Sequence, residues 1–244
     1  MPLPPATSTP PVQIFWTSGW DSTYRVIDLA LRLEKEVQPY YVYDPERAST
    51  PLEIQTMEEI RAALRARAPE AAARIRPLET IRRDEIGPDP RFEPMSGRLK
   101  VGSQYEWLAR LAEERDFDGV EMCAVKGRGN LYPLLKSETQ LVEGPGGPTY
   151  RLVDSPSRPE LELFRRFSFP LLDLSKPEMR ALADERGLLD VMKMTWFCFE
   201  PKGGKPCGHC APCMVALRSG MSWRIPPLRR IRPRLRLVKK ALRR

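Results

Sequence analysis

The chain predicts an α/β protein built on a doubly wound parallel sheet, and three observations carry that expectation. Apolar runs at Val12–Phe15, Val37–Tyr43, Val120–Val125 and Phe167–Leu172 read as buried strands. Amphipathic segments of helical period lie between them, as strands alternating with helices require for a parallel sheet. At 244 residues the chain can bury one sizeable core, or a core with a small appendage.

Taken in order, residues 1–11 hold five prolines and neither a basic nor an apolar targeting region, so they read as a disordered leader. After the first strand, Val26, Ile27, Leu29, Ala30 and Leu33 mark the buried face of a helix. Asp44 and Pro45 end the second strand. Pro51–Ala68 has the period and charge of a long surface helix, and Ile75–Ile81 is a weaker strand. Arg82–Val101 shows no period and reads as a long loop, either a binding lid or a surface excursion. Gln104–Arg115 is a second amphipathic helix leading into the strand that carries Cys123, read as an inert core thiol. The glycine-rich stretch Lys126–Pro133 follows that strand, and Gly144–Pro148 reads as a plain loop. Ser175-Lys176-Pro177-Glu178 has the cap, the early proline and the N3 glutamate of a helix start.

No apolar run is long enough to cross a bilayer. Of the five cysteines, four crowd near the C-terminus, which suggests a reducing compartment, a cytoplasmic location and a metal site. Net charge is +8, yet residues 223–244 carry ten basic residues and no acidic one, leaving the body nearly neutral. These boundaries divide the chain into the leader, a body at 12–194, a cysteine segment at 195–222 and a basic tail at 223–244.

Thr17-Ser18-Gly19-Trp20-Asp21-Ser22-Thr23 joins the first strand to the first helix. Such a turn aims free N–H groups at one point and suits a phosphate, with Ser22 and Thr23 adding hydroxyls. Asp21 fits there only as a helix cap or as the holder of a metal ion bridging to phosphates. Cys198, Cys207, Cys210 and Cys213 have the spacing of a closed structural zinc site. An iron–sulfur cluster is the rival, but no cysteine follows Cys213 to complete a ferredoxin run. His209 reads as a spectator between ligands.

Two motifs resemble those of one known family. Thr17–Thr23 is similar to the pyrophosphate loop (PP-loop) of ATP pyrophosphatases, Ser-Gly-Gly-x-Asp-Ser followed by Ser or Thr, with Thr17 and Ser18 departing from it. Thr195-Trp196-Phe197-Cys198 with Cys207-Gly208-His209-Cys210-Ala211-Pro212-Cys213 resembles the zinc motif of 7-cyano-7-deazaguanine synthases. Leu174-Ser175-Lys176-x-Glu178 resembles the segment preceding it. The resemblance implies an adenine-nucleotide-hydrolase-like fold, ATP at residues 17–23, Mg²⁺ near Asp21, Zn²⁺ on the cysteines, and Lys176 facing the leaving phosphates. It implies a ligase that adenylates a carboxylate, such as a 7-deazaguanine acid, and passes it to a nitrogen nucleophile. Asn130 and Tyr132 are the implied substrate contacts. The middle motifs depart from the family: its Gly-Arg-Asn stands here as Gly102-Ser103-Gln104 and its Tyr-Pro-Asp as Tyr132-Pro133-Leu134. An amide ligase or thiolation enzyme on another acceptor is the enzymatic alternative. A non-catalytic module, its basic tail binding nucleic acid, an anionic surface or an acidic partner, is the other. Homodimerisation is a further expectation.

Overall fold

The computed structural model describes residues 10–127 and 131–231. Most of the leader, Arg128–Asn130 and positions 232–244 of the tail lie outside the described residues.

The first half runs β1 (Val12–Phe15), α1 (Trp20–Leu31), β2 (Val37–Tyr43), α2 (Thr50–Arg67), α3 (Pro69–Ala73) and β3 (Glu79–Arg82). It continues through α4 (Met95–Leu99), α5 (Gln104–Glu114), β4 (Val120–Glu121) and α6 (Leu131–Leu135). Then come β5 (Thr139–Gly144), β6 (Gly147–Leu152), β7 (Phe167–Ser168), α7 (Lys176–Glu185), α8 (Leu189–Met194) and α9 (Ala211–Arg218). The main sheet has the order β3-β2-β1-β4-β7 and every neighbour is parallel. Strand order therefore reverses between β1 and β4, the place where a ligand crevice opens beyond the strands' carboxyl ends.

Alternation along the strands divides the core between the two faces. Ile14, Trp16, Val37 and Tyr41 pack with α1, α2, α7 and α8. Phe15, Tyr40, Val42, Val120 and Phe167 pack on the other face with α5, Phe164 and Phe169. Helix α1 is wedged beneath the sheet, with Ile27, Leu29 and Ala30 at most 1% exposed. Truncating Ile27 or Leu29 to alanine typically costs about 2–5 kcal/mol.

One ion pair also crosses this interior. Arg25 of α1 donates to both carboxylate oxygens of Glu121 in β4, at 2.7 and 2.6 Å, and to the Gly146 carbonyl at 2.9 Å. Burial opposes the charge on Arg25, but the Glu121 carboxylate more than offsets it and holds the guanidinium above its usual range. Breaking a buried pair of this kind strands the remaining charge, at a cost of about 3–5 kcal/mol.

Four sequence expectations are corrected. The strand read at Val120–Val125 is paired only at Val120–Glu121, because the Ala124 N–H turns back to the Met122 carbonyl at 2.9 Å and leaves the ladder. The stretch Arg82–Val101 is not a free loop. It contains a 3-10 turn and α4, and Ile86, Phe92 and Leu99 pin it to the second core. Gly144–Pro148 is the tip of an antiparallel hairpin, β5 with β6, in which Gly147 takes φ +92°. The Ile75–Ile81 strand begins at Glu79, with Ile75 making only an isolated bridge to Val37. Among the described residues no helix is long and apolar enough to cross a membrane.

Candidate functional site

The turn after β1 has the strand–turn–helix form expected of it. Gly19, with extended backbone, is the N-cap of α1, so Asp21 lies inside the first turn and does not cap the helix. Ser18 takes φ +55°, the left-handed region that a residue with Cβ enters only under constraint. Part of that constraint is visible: the Trp196 N–H donates to the Ser18 carbonyl at 3.0 Å. The Thr17 N–H donates to the Ser22 hydroxyl at 3.3 Å, closing the turn across its mouth. Thr23 is fully buried and its hydroxyl accepts the Trp16 indole N–H at 2.9 Å, so it supports the loop from behind.

The site's charge comes from two helix starts. Lys176, the first residue of α7, places Nζ 2.8 Å from both oxygens of Asp21. The N-terminus of α7 is itself fixed by a capping box, in which the Glu178 N–H and the Ser175 hydroxyl meet while the Glu178 carboxylate accepts the Ser175 N–H at 2.8 Å. Lys126, just past β4, is joined to this cap through a bridge to Ser175. Two N-terminal helix dipoles and Lys176 thus surround Asp21. Ser18 Oγ and Trp20 Nε1 are buried without a hydrogen-bond partner, and the first-turn N–H groups of α1 have no intrahelical acceptor. This donor-rich loop fits a phosphate group, and Asp21 is the carboxylate that would hold its Mg²⁺.

A cleft of about 310 Å³ opens beside Asp21 at the reversal of strand order. Gly102, Gln104 and Tyr105 form one wall, and Cys123–Val125 with Tyr132 form the other. Cys123, read from sequence as a core thiol, is a half-buried wall residue here. Burial raises its pKa well above the usual thiol value, so it stays protonated. Tyr132 lines the cleft, whereas Asn130 lies outside the described residues.

The four C-terminal cysteines converge, all nearly or fully buried, with every sulfur within 4.8 Å of the others. A tetrahedral zinc with Zn–S bonds of about 2.3 Å requires sulfurs about 3.8 Å apart. Cys198 and Cys210 sulfurs are 3.8 Å apart, and those of Cys207 and Cys213 are 3.9 Å apart. Backbone N–H groups of Cys207, Gly208, His209 and Cys210 point at these sulfurs from 3.2–3.4 Å, an arrangement suited to thiolates. Burial pushes the Cys198 thiol up to about 11, and at Cys207 the His209 and Cys210 N–H donors outweigh burial and lower the pKa. A bound cation would supply the charge that these sulfurs otherwise lack. Gly208 has φ +83°, and a Cβ there would run into the Arg229 carbonyl. His209 is exposed and faces Glu200 at 3.6 Å, outside the set of four sulfurs. The cysteines share the apolar cluster of α1, so this candidate metal site is built into the body of the fold.

Sequence reasoning missed the first part of the tail. Residues 223–231 pack on the body instead of leaving it. Trp223 meets Trp20 edge-on, with ring centroids 6.5 Å apart. Arg224 donates to the Thr195 carbonyl and hydroxyl, and Arg229 to the carbonyls of Lys202, Lys205 and Pro206 beside the cysteines. The available signal was Trp223, a large aromatic at the head of an otherwise basic stretch.

Residues 163–221 match the family model of Queuosine biosynthesis protein QueC. That is the 7-cyano-7-deazaguanine synthase family of the PP-loop superfamily. The matched segment contains Lys176 and all four clustered cysteines, while Thr17–Thr23 lies before it. No curated protein matches the chain.

Proposed function

We propose that the protein is an ATP-dependent, 7-cyano-7-deazaguanine synthase-like ligase that activates a carboxylate by adenylation and transfers it to a nitrogen nucleophile. The observation that carries this reading is the Lys176–Asp21 pair. It joins a residue of the QueC-matched segment to the N-terminal turn that resembles the pyrophosphate loop, 155 positions away. The match itself supports an ATP-using PP-loop enzyme.

In this reading ATP supplies the adenylyl group that makes the carboxylate reactive. The loop from Ser18 to Ser22 holds the pyrophosphate half of the nucleotide through N–H groups and hydroxyls. Asp21 is the carboxylate that would hold Mg²⁺, and the Lys176 ammonium beside it would face the departing pyrophosphate, lowering the cost of the charge that develops there. The cleft beside Asp21 holds the acceptor, with Gln104 and Tyr132 as its polar wall. Zinc on Cys198, Cys207, Cys210 and Cys213 keeps the loop's supporting segment folded and takes no part in the reaction. The protein's contribution is positioning and charge, which suits a site without a nucleophile–base pair.

An acceptor other than a deazapurine acid is the second reading. It is favoured because Gly102, Gln104 and Tyr132, which line the cleft, lie in the stretches where the chain departs from the family motifs. ATP–pyrophosphate exchange with candidate carboxylates tests both. Exchange stimulated by a 7-deazaguanine acid supports the first reading, and exchange with other acids alone supports the second. Absence of ATP turnover with every acid would remove the enzymatic reading.

A further inference from the structure

Arg224 lies three residues beyond the family-matched segment, at the end of the 3-10 turn Ser222–Arg224. Its guanidinium stacks on Phe197 at 4.2 Å and lies 5.7 Å from the Trp20 ring and 5.9 Å from the Trp223 ring. Trp20 is the first residue of α1, so this aromatic cage stands against the loop. Nη2 carries both hydrogen bonds of the group, to the Thr195 carbonyl and hydroxyl. Among the described residues no carboxylate comes within ion-pair distance of Arg224. Most other arginines of the body have one, as at Arg25, Arg32, Arg47, Arg67, Arg165 and Arg166.

A cation withdrawn from water without a counter-ion is costly, and aromatic faces recover only about 0.5–2 kcal/mol of that cost. Burial holds the Arg224 guanidinium down at about 10, with the charges of Asp21 and Cys213 opposing the shift. Asp21 is already neutralised by Lys176. Arg224 is therefore a guanidinium without a paired carboxylate, and the adjoining loop keeps two buried, unpartnered donors, Ser18 Oγ and Trp20 Nε1. A group with two or more negative charges at the loop would supply the missing counter-charge.

We propose that Arg224 is a further positioning residue of the phosphate site, its caged charge drawing the pyrophosphate portion of the nucleotide to the loop. This rests on the reading of residues 17–23 as that loop. Arg224 also braces the chain at Thr195, whose neighbour Trp196 holds the Ser18 carbonyl, so the charge is fixed relative to the strained residue.

Binding of inorganic pyrophosphate with Mg²⁺, measured by titration calorimetry on the full-length zinc-loaded protein, tests the proposal. The variants are R224Q, which keeps a donor but loses the charge, and R224K, which keeps the charge but loses the planar stack. Expected is a tenfold or greater weakening for R224Q, with R224K within about threefold of wild type. Zinc content and melting temperature of R224K serve as the folding control if R224Q proves unstable. A log-affinity against log-salt slope that is shallower in R224Q than in R224K supports the charge role. R224Q within twofold of wild type would overturn the proposal, as would R224K as weak as R224Q, since that pattern belongs to packing alone. Failure of the wild type to bind pyrophosphate would instead remove the loop reading, and the role of Arg224 with it.

Discussion

The loop at residues 17–23 and the cysteine centre at 198–213 lie on the same face of the sheet but are built on opposite principles. In the cysteine centre each sulfur has neighbours at tetrahedral distance and most accept a backbone N–H, so the site is closed and complete apart from its cation. The loop keeps buried donors without acceptors and one residue with a Cβ in the left-handed region. A closed site contributes folding energy, whereas an open one stores unsatisfied polarity for a ligand. Substitutions should divide accordingly, the first class lowering stability and the second lowering activity.

The largest effect is expected at Asp21. D21N keeps the shape of the turn but removes the charge that would hold Mg²⁺, and ATP–pyrophosphate exchange should fall by at least about 10²-fold with the melting temperature nearly unchanged. Unchanged exchange in D21N would collapse the distinction, because the loop would then be only a turn.

C210S tests the other side. Elemental analysis should give one zinc per wild-type chain and none in the variant, with stability reduced by several kcal/mol because metal affinity here is folding free energy. Iron and sulfide with visible absorbance would replace zinc by a cluster. Retention of full stability after zinc loss would show the centre to be peripheral.

Paired truncations sharpen the border between the regions. Removing 232–244 should leave exchange within about twofold and abolish any steep salt dependence of binding to polyanions. Removing 223–244 also takes away Trp223, Arg224 and Arg229, the groups that touch Trp20, Thr195 and the cysteine segment, and exchange should fall at least tenfold. Equal activity of the two truncations would mean that residues 223–231 brace nothing.

The smallest effect belongs to the cap of α7. S175A should cost about 1 kcal/mol in chemical denaturation. The Ser175 hydroxyl and N–H hold the Glu178 carboxyl below its usual value, so this contribution is present at neutral pH and is lost as pH falls through that lowered value. The stability difference between wild type and S175A should therefore narrow at strongly acidic pH, leaving the part supplied by the Glu178 N–H to Ser175 hydroxyl bond. A constant difference across the whole range would show that the carboxylate contributes nothing to the cap.

The sequence revealed the parts whose signals are local. Cysteine spacing, the Ser175–Glu178 box and the apolar runs of β1 and β2 each lie within sixteen residues and were readable without tertiary context. The hairpin β5–β6 escaped because its outer face is exposed and its alternation weak. The stretch 82–101 escaped because Ile86, Phe92 and Leu99 anchor it at spacings that match no regular period. The partners of the loop were hidden for another reason. Trp196 and Arg224 reach it from the far end of the chain and no pattern within residues 12–23 announces them, while only the family resemblance places Lys176 there.

That separation sets an order of assembly during synthesis. The loop emerges from the ribosome first, yet Arg224 follows Trp20 by more than two hundred residues, which at roughly 5–20 residues per second means about 10–40 s. For most of that interval the nascent chain carries Ser18 without Trp196 to hold it and Asp21 without Lys176 to screen it. A half-made chain thus holds the loop residues without the partners that fix them in the folded protein. A chain that stops before residue 224 would keep every residue of the loop yet lack the arginine caged against Trp20.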